Sequence, residues 1–598
     1  MYHPDSPESV KEDLETIDSP FQEYVYRPLK YRHIRLLNVT QDLEDSHIID
    51  TSFESAPPYT AVSYTWNGES RDHHLLVDGS NIKITQNVKK ALPHLIRSAK
   101  TQHLWIDGVC INQEDDEEKA IQVPLMKEIY TLSQECLVWL GESTAEAEIA
   151  LNAIPRINGH LKLYDATRVW EMENIAVRSE GTLDSPLWKG LVYIFSRPWF
   201  KRVWTFQEGV LPPKVDFLCG SRVVTFEEVA YLANPLLDHL TALQHFYPNA
   251  GLYERRLFVG FLKVIRISRS RGESRPNLQK ALETLRLLYF TRPWSLSNPL
   301  DRVYGVLGLT DPSLQNYLLV DYSKSPTDLS REIARWYIDA GEDLFILNLA
   351  SSVKDKTTVL PSWIPNFTQI GSHWCIGVIW SRFRTGVGKQ QSRGKSVFML
   401  DNELHVDGIL VDEVSQVVPS VSRNNKTKVE RHQKIFKWEE SCRDLSKSIL
   451  SEPNDIVSEA YSTTMISAIC DNHLTPSKSE YNLLKSFIKS IVHKEVLEPD
   501  VEERSQDLSL QIRRLFQTAS MGHFFCTKHG RIGIGSSCTQ PGDRICVFYG
   551  GFTPFIIRPI QESESRFQFV GDSYTSGLTE GEAFREGAQG RKGTFVLV

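Results

Sequence analysis

Glu208 is the side chain of this sequence whose neighbours most suggest chemistry. It closes the stretch RPWFKRVWTFQE, residues 197–208, which reads as a short helix opened by Pro198. On a helical wheel, Trp199, Phe200, Val203, Trp204, Phe206, Val210 and Leu211 form one wide apolar face. Gln207 lands inside that face and Glu208 at its edge, in line with Phe200 and Trp204. A carboxylate there is either a solvated boundary residue or one held at the rim of a pocket.

A second group comes from strand ends. In open α/β sheets, ligands bind beyond the carboxyl ends of the strands. The run YTAVSY ends at Ser63-Tyr64 and leads into TWNGES with Trp66. HLWIDGV ends as a strand at Asp107 and leads into GVCINQ with Asn112 and Gln113. CLVWLG ends at Gly141 and leads into Glu142. These loops share one sheet edge and are rich in polar groups. The plainer alternative is that Asp107 and Asn112 satisfy backbone groups and cap the following helix. For Trp66 and Trp204, core packing is the plainer alternative.

Other candidates carry less. HFFCTKH (523–529) holds two histidines and a cysteine, but the spacing fits no zinc pattern, so no metal is expected. EDDEE (114–118) reads as a solvated helix N-terminus favoured by the helix dipole. GIGSSC (533–538) does not open a helix after a strand, so it is no dinucleotide fingerprint.

The elements that position these residues follow from patterning. Residues 1–30 read as a flexible acidic lead-in. Over 31–235, with its core at 59–210, β-rich runs alternate with helical ones, the signature of an α/β layer with a mostly parallel sheet flanked by helices. YTAVSY, HLWIDGV and CLVWLG are nearly continuous in apolar residues, as strands covered on both faces are, and VDFLC adds a fourth. Between the second and third runs, Leu125, Ile129, Leu132 and Cys136 predict one buried helical stripe, with Pro124 in the first turn. Residues 236–354 read as helical and 355–427 as β-rich, with SVFML and ELHVDGILVDEV pairing as a hairpin. Residues 428–520 read as a helical, charged insertion, and 521–598 as β-rich again, with a turn at PGD (541–543).

The 598 residues carry a net charge of −8. That opposes a chain-wide attraction to nucleic acid or an anionic membrane. No signal-like apolar region opens the chain and no apolar run is long enough to span a bilayer, so a cytoplasmic protein is expected. Nine scattered cysteines without a C-x-x-C pair fit reduced thiols.

LWIDGVCINQEDDEEKAIQVPLMKEIYTLSQECLVWLGE (104–142), preceded by YTAVSYTWNG and followed by RPWFKRVWTFQE, resembles the HET domain, the heterokaryon-incompatibility domain of filamentous fungi. NPLDRVYGVLGL, VDYSKSP, LPSWIP and the terminal GIGSS…PGDRICVF…PFIIRP…FVGDSY resemble the downstream part of such proteins. The chain departs from the usual pattern at Asn67, between Trp66 and Gly68, and at Gly209, where valine is usual. HET domains are in turn similar to TIR domains, and WTFQE falls where many of those carry W-C-x-x-E. Trp204 and Glu208 match, and Thr205 replaces the cysteine.

The resemblance implies one of two functions. In the first, the HET domain is a signalling and interaction module for cell death on non-self recognition. It then assembles with itself or with a protein partner and needs no cofactor. In the second, it cleaves NAD, as substrate, at the nicotinamide–ribose bond. Glu208 is then the catalytic carboxylate, and Ser63, Tyr64, Trp66, Asp107, Asn112, Glu142 and Trp204 line the substrate site.

Overall fold

The computed structural model describes residues 22–598 except 41–45, 67, 173–184, 247–252, 273–279, 293, 342, 351–359, 370–396, 422–427, 451–459, 462–463, 466–517, 521, 561–562, 564, 586 and 588–589. The expectations for residues 1–21 and for most of 451–517 lie outside these. Contacts divide the chain into two compact units that interleave along the sequence. One comprises Met1–Glu142 and Pro212–Val223, the other Ser143–Leu211 and Val224–Val598.

The first unit holds strands β1 (His33–Asn38), β2 (His47–Ser52) and β3 (Tyr59–Ser63), then a separate hairpin of β4 (His73–Val77) and β5 (Ser80–Ile84). It continues with β6 (His103–Trp105), β7 (Glu135–Trp139) and β8 (Val215–Cys219), and the chain leaves it through β9 (Arg222–Thr225). The sheet order is β2-β1-β6-β3-β7-β8-β9. Strands β6, β3, β7 and β8 run parallel, and β1 joins antiparallel to both β6 and β2. Every residue of β3, β7 and β8 is buried, as strands covered on both faces require. Residues 22–30, part of the expected lead-in, are bonded to this unit: Tyr24 N and Asn81 O lie 2.9 Å apart, and Tyr26 Oη donates to Val109 O at 2.9 Å.

Helix α1 (Gln86–Ser98) is capped by Thr85, whose hydroxyl accepts from Val88 N. A four-residue turn, α2 (Asp107–Cys110), follows β6. The strand in HLWIDGV therefore stops at Trp105, because Asp107 already belongs to the helical turn. Helix α3 (Asp116–Leu132) is capped by Asp115, which accepts from Glu117 N and Glu118 N. The acidic run is thus a helix N-terminus, with Glu118 turned inward to Arg35 at 2.6 Å. Two details of α3 differ from the sequence reading. Pro124 sits in the helix interior, on the exposed side, where the carbonyl left without a donor faces solvent. The buried stripe is Gln122, Met126, Ile129 and Tyr130, and Leu132 is 54% exposed, because the helix rolls its Ile129–Tyr130 edge onto the sheet.

The second unit begins with α4 (Ala145–Leu161), α5 (Ala166–Met172) and α6 (Pro186–Phe195). RPWFKRVWTFQE is not one helix. Pro198–Lys201 is a 3-10 turn, and α7 (Thr205–Val210) starts after a break. The break occurs because Val203 N donates to Ser295 O at 3.2 Å and Lys201 O accepts from Ser295 N at 2.5 Å, so a tertiary partner takes groups that a continuous helix would use. Helices α8 (Phe226–Phe246), α9 (Tyr253–Gly272), α10 (Lys280–Phe290), α11 (Asp301–Leu307), α12 (Pro312–Tyr317), α13 (Pro326–Ala340) and α14 (Phe345–Leu349) follow, as the helical patterning of 236–354 predicts.

Beyond them β10 (Val397–Leu400) and β11 (Glu403–Val418) pair as the expected hairpin, and a helix spans Lys428–Leu450. Strands β12 (Gly522–Thr527), β13 (Ile532–Ser536), β14 (Arg544–Phe548), β15 (Phe555–Pro559), β16 (Arg566–Thr575) and β17 (Arg591–Leu597) complete a sheet. It closes on itself through β11, which pairs with β12 near its end and with β14 before that. Two irregularities in β11, near Asp412 and Ser415, bend it enough to serve both neighbours. Closure leaves Val414, Phe525, Ile545, Val547, Ile556 and Val570 buried together inside.

Candidate functional site

At the carboxyl ends of β3 and β6 the structure brings Tyr64, Trp66 and Asp107 together. Trp66 Nε1 donates to Asp107 Oδ2 at 3.0 Å, and Gly108 N donates to Asp107 Oδ1 at 2.6 Å. Both carboxylate oxygens are thus occupied at the first turn of α2. Tyr64 packs where Gly108 lacks a side chain: a Cβ there would lie 2.6 Å from the tyrosine hydroxyl oxygen. Ser63 is fully buried at the end of β3. Asn112 Oδ1 accepts from Glu114 N at 3.2 Å, and Gln113 Nε2 donates to Asp107 O at 2.8 Å. These are loop-stabilising bonds of the kind Asn and Gln side chains form beside short helices.

Glu142 lies among a different set. Its carboxylate is 3.8 Å from His94 Nε2, its side chain is 52% exposed, and its carbonyl accepts from the Cys219 thiol at 3.8 Å. His94 stacks on Trp139 with ring centroids 5.2 Å apart. Asn87, two turns earlier on the same face of α1, receives Trp139 Nε1 at 2.9 Å and donates to Thr65 O at 2.7 Å. Its own amide donates to Glu69 Oε2 at 2.8 Å. Asn87, His94 and Glu69 were missed in the sequence. The signal available was the shared face of Asn87 and His94 on a helix behind a threonine cap.

Arg35 supports the same loops from below. Its guanidinium is buried, pairs with both oxygens of Glu118 at 2.6 and 2.9 Å, and donates to Cys110 O at 3.1 Å. The Cys110 thiol beside it is pushed up to about 12 by burial.

Glu208 and Trp204 belong to the second unit. Glu208 is 7% exposed, on the short α7. Gln207 is buried with it, as the wheel predicts, and its Oε1 finds no hydrogen-bond partner among the described residues. The element facing α7 supplies Lys263, which is fully buried. Its Nζ donates to Trp199 O at 3.4 Å, to Arg202 O and to Thr205 Oγ1. Burial pushes the Lys263 ammonium well below its ordinary range, and the Glu208 charge opposes that shift. Trp204 hydrogen-bonds the Asp301 carboxylate, which also accepts from Tyr322 Oη at 2.9 Å; burial raises that carboxyl above its ordinary value. Gly305 of α11 admits this corner, since a Cβ there would lie 2.5 Å from Val203 Cγ1 and 3.2 Å from Trp204 Cδ2.

Residues 59–208 match the family model "Heterokaryon incompatibility protein (HET)", and residues 506–598 match "Het-6 beta-barrel domain". The chain carries a HET domain. The second match covers the strands from β12 to β17 of the closed sheet. The chain is similar to "Heterokaryon incompatibility protein 6, OR allele" of Neurospora crassa, 25% identical over 92% of this chain and 94% of that protein. No solved structure matches it.

Among the described residues no group of three or more His, Cys, Asp or Glu side chains could hold a metal ion. In HFFCTKH, His523 Nδ1 accepts from Ser420 N at 3.0 Å and His529 Nδ1 lies 2.9 Å from Asp412. The Cys526 thiol is buried and pushed up to about 12. No helix among the described residues is long and apolar enough to cross a membrane.

Proposed function

We propose that the HET domain of this chain acts as a signalling and interaction module for cell death on non-self recognition, in the cytoplasm, through self-association or a protein partner. The observation that carries this reading is the employment of its chemical residues. Asp107 has both oxygens bonded within its own loops, and Glu208 is buried, its charge acting on the buried Lys263. A carboxylate that must meet a ribosyl cation needs a face open to substrate. The likeness to an incompatibility protein of Neurospora crassa supports the biological setting.

The test expresses the full chain in a fungal cell and follows viability, NAD and free nicotinamide together. The expected result is death with NAD unchanged, and recovery of the chain with a second tagged copy or a defined protein. Loss of NAD with release of nicotinamide, stopped by Glu208→Gln in a chain that still folds, would establish the competing reading, a TIR-like NAD hydrolase.

A further inference from the structure

Lys263, Ile267 and Arg271 are spaced i, i+4 and i+8 and share one face of α9. Each meets α7 or the turn before it. The three N–H groups of Lys263 have three acceptors, Trp199 O, Arg202 O and Thr205 Oγ1, the number an ammonium needs. The ammonium also stands 4.5 Å from the Trp294 ring centroid and 5.2 Å from that of Trp199. At the other end of α7, Arg271 Nη1 donates to Gly209 O at 3.1 Å, where the helix dipole is negative. Between them, a Cβ on Gly209 would come 2.8 Å from Ile267 Cδ1. Glu208 stands one turn beyond Thr205 and so shares the face that Lys263 touches.

We propose that α9 is a clamp that positions the Glu208 helix: Lys263 and Arg271 hold its two ends, Ile267 fills the space left by Gly209, and Glu208 is a counter-charge to the buried Lys263. Lys263, Ile267 and Arg271 are positioning residues. The departure at Gly209 then has a physical cause, because a valine there would collide with Ile267. The clamp is independent of the signalling reading, and its test reads structure, so the two can fail separately.

The experiment uses the full chain. Gly209→Val is expected to lower the unfolding midpoint and speed amide exchange over residues 205–211, and Ile267→Ala added to it is expected to restore both. Should Gly209→Val yield no soluble protein, recovery of soluble protein in the double variant is the readout. Lys263→Met and Glu208→Gln are each expected to lower the midpoint, and together to lower it by less than the sum of the two, whereas Lys263→Arg lowers it less than Lys263→Met. A Gly209→Val chain as stable as the parent, or one that Ile267→Ala fails to rescue, overturns the clamp. Additive effects of Lys263→Met and Glu208→Gln overturn the pairing of those two charges.

Discussion

At the scale of single residues, Trp66 Nε1 and Gly108 N each hold one oxygen of the Asp107 carboxylate. Asp107 and Trp66 were legible as neighbours because the ends of adjacent parallel strands must share an edge. That the indole would bond the carboxylate was not legible, since it depends on a side-chain rotamer. Asp107→Ala removes that bond and the one to Gly108 N; at a half-buried site it is expected to cost about 1–2 kcal/mol in chemical denaturation. Lys263 gave no signal at all. KVIRISRSR looks like any basic amphipathic run, and the groups that hold its ammonium include backbone carbonyls 64 and 61 residues away. The thiols make a pH prediction. Cys110 and Cys526 have an ordinary value of 9.0 and are raised to about 12 when folded. Between those values the unfolded chain has lost protons that the native one keeps, so stability is full below about 9 and falls as pH rises towards 12. Native alkylation at pH 8 is expected to spare both and to reach the partly exposed Cys538.

At the scale of elements, VDFLC was read to the residue and YTAVSY to within one, because short apolar-rich runs bounded by turn residues leave a buried strand few alternatives. Strands β1 and β2 and the β4–β5 hairpin were not read, since HIRLLN, HIIDTS and HHLLV mix histidine and charge with apolar residues and take their partners from elsewhere. The RPWFKRVWTFQE helix failed for a related reason: a wheel sees local periodicity but not Ser295. Glycines in α4 and α6 separate packing from propensity. A Cβ on Gly190 of α6 would fall on the Glu146 carbonyl of α4, so Gly190→Ala is expected to destabilise by about 1–3 kcal/mol or more. Gly159 within α4 has nothing within 4 Å of such a Cβ, and Gly159→Ala is expected to stabilise by roughly 0.5–1 kcal/mol. Thermal melts of the two variants check both signs.

At the scale of the whole molecule, the α/β, helical and β-rich succession was legible from patterning, whereas the interleaving of compact units was not, because contact between distant segments leaves no local trace. The corner that ends at Glu208 takes its cover from residues far downstream. Phe206 lies 5.0 Å from Trp294, centroid to centroid, and Trp204 meets Gly305 and Asp301. A chain stopped at residue 235 is therefore expected to expose Trp199 and Phe206, to bind a hydrophobic dye and to elute as aggregate, while the full chain does neither.

The interleaving also bears on how the protein emerges from the ribosome. β7 is complete at Trp139, but the second of its two parallel neighbours, β8, begins only at Val215, after the excursion through Ser143–Leu211. During synthesis of that stretch, β7 has only one of its two strand neighbours, and its free side presents unpaired amides. At a synthesis rate of roughly 5–20 residues per second, the exposure lasts several seconds. A nascent chain halted within the excursion is the form of this protein most open to strand-seeking chaperones, and to mispairing with a second nascent copy.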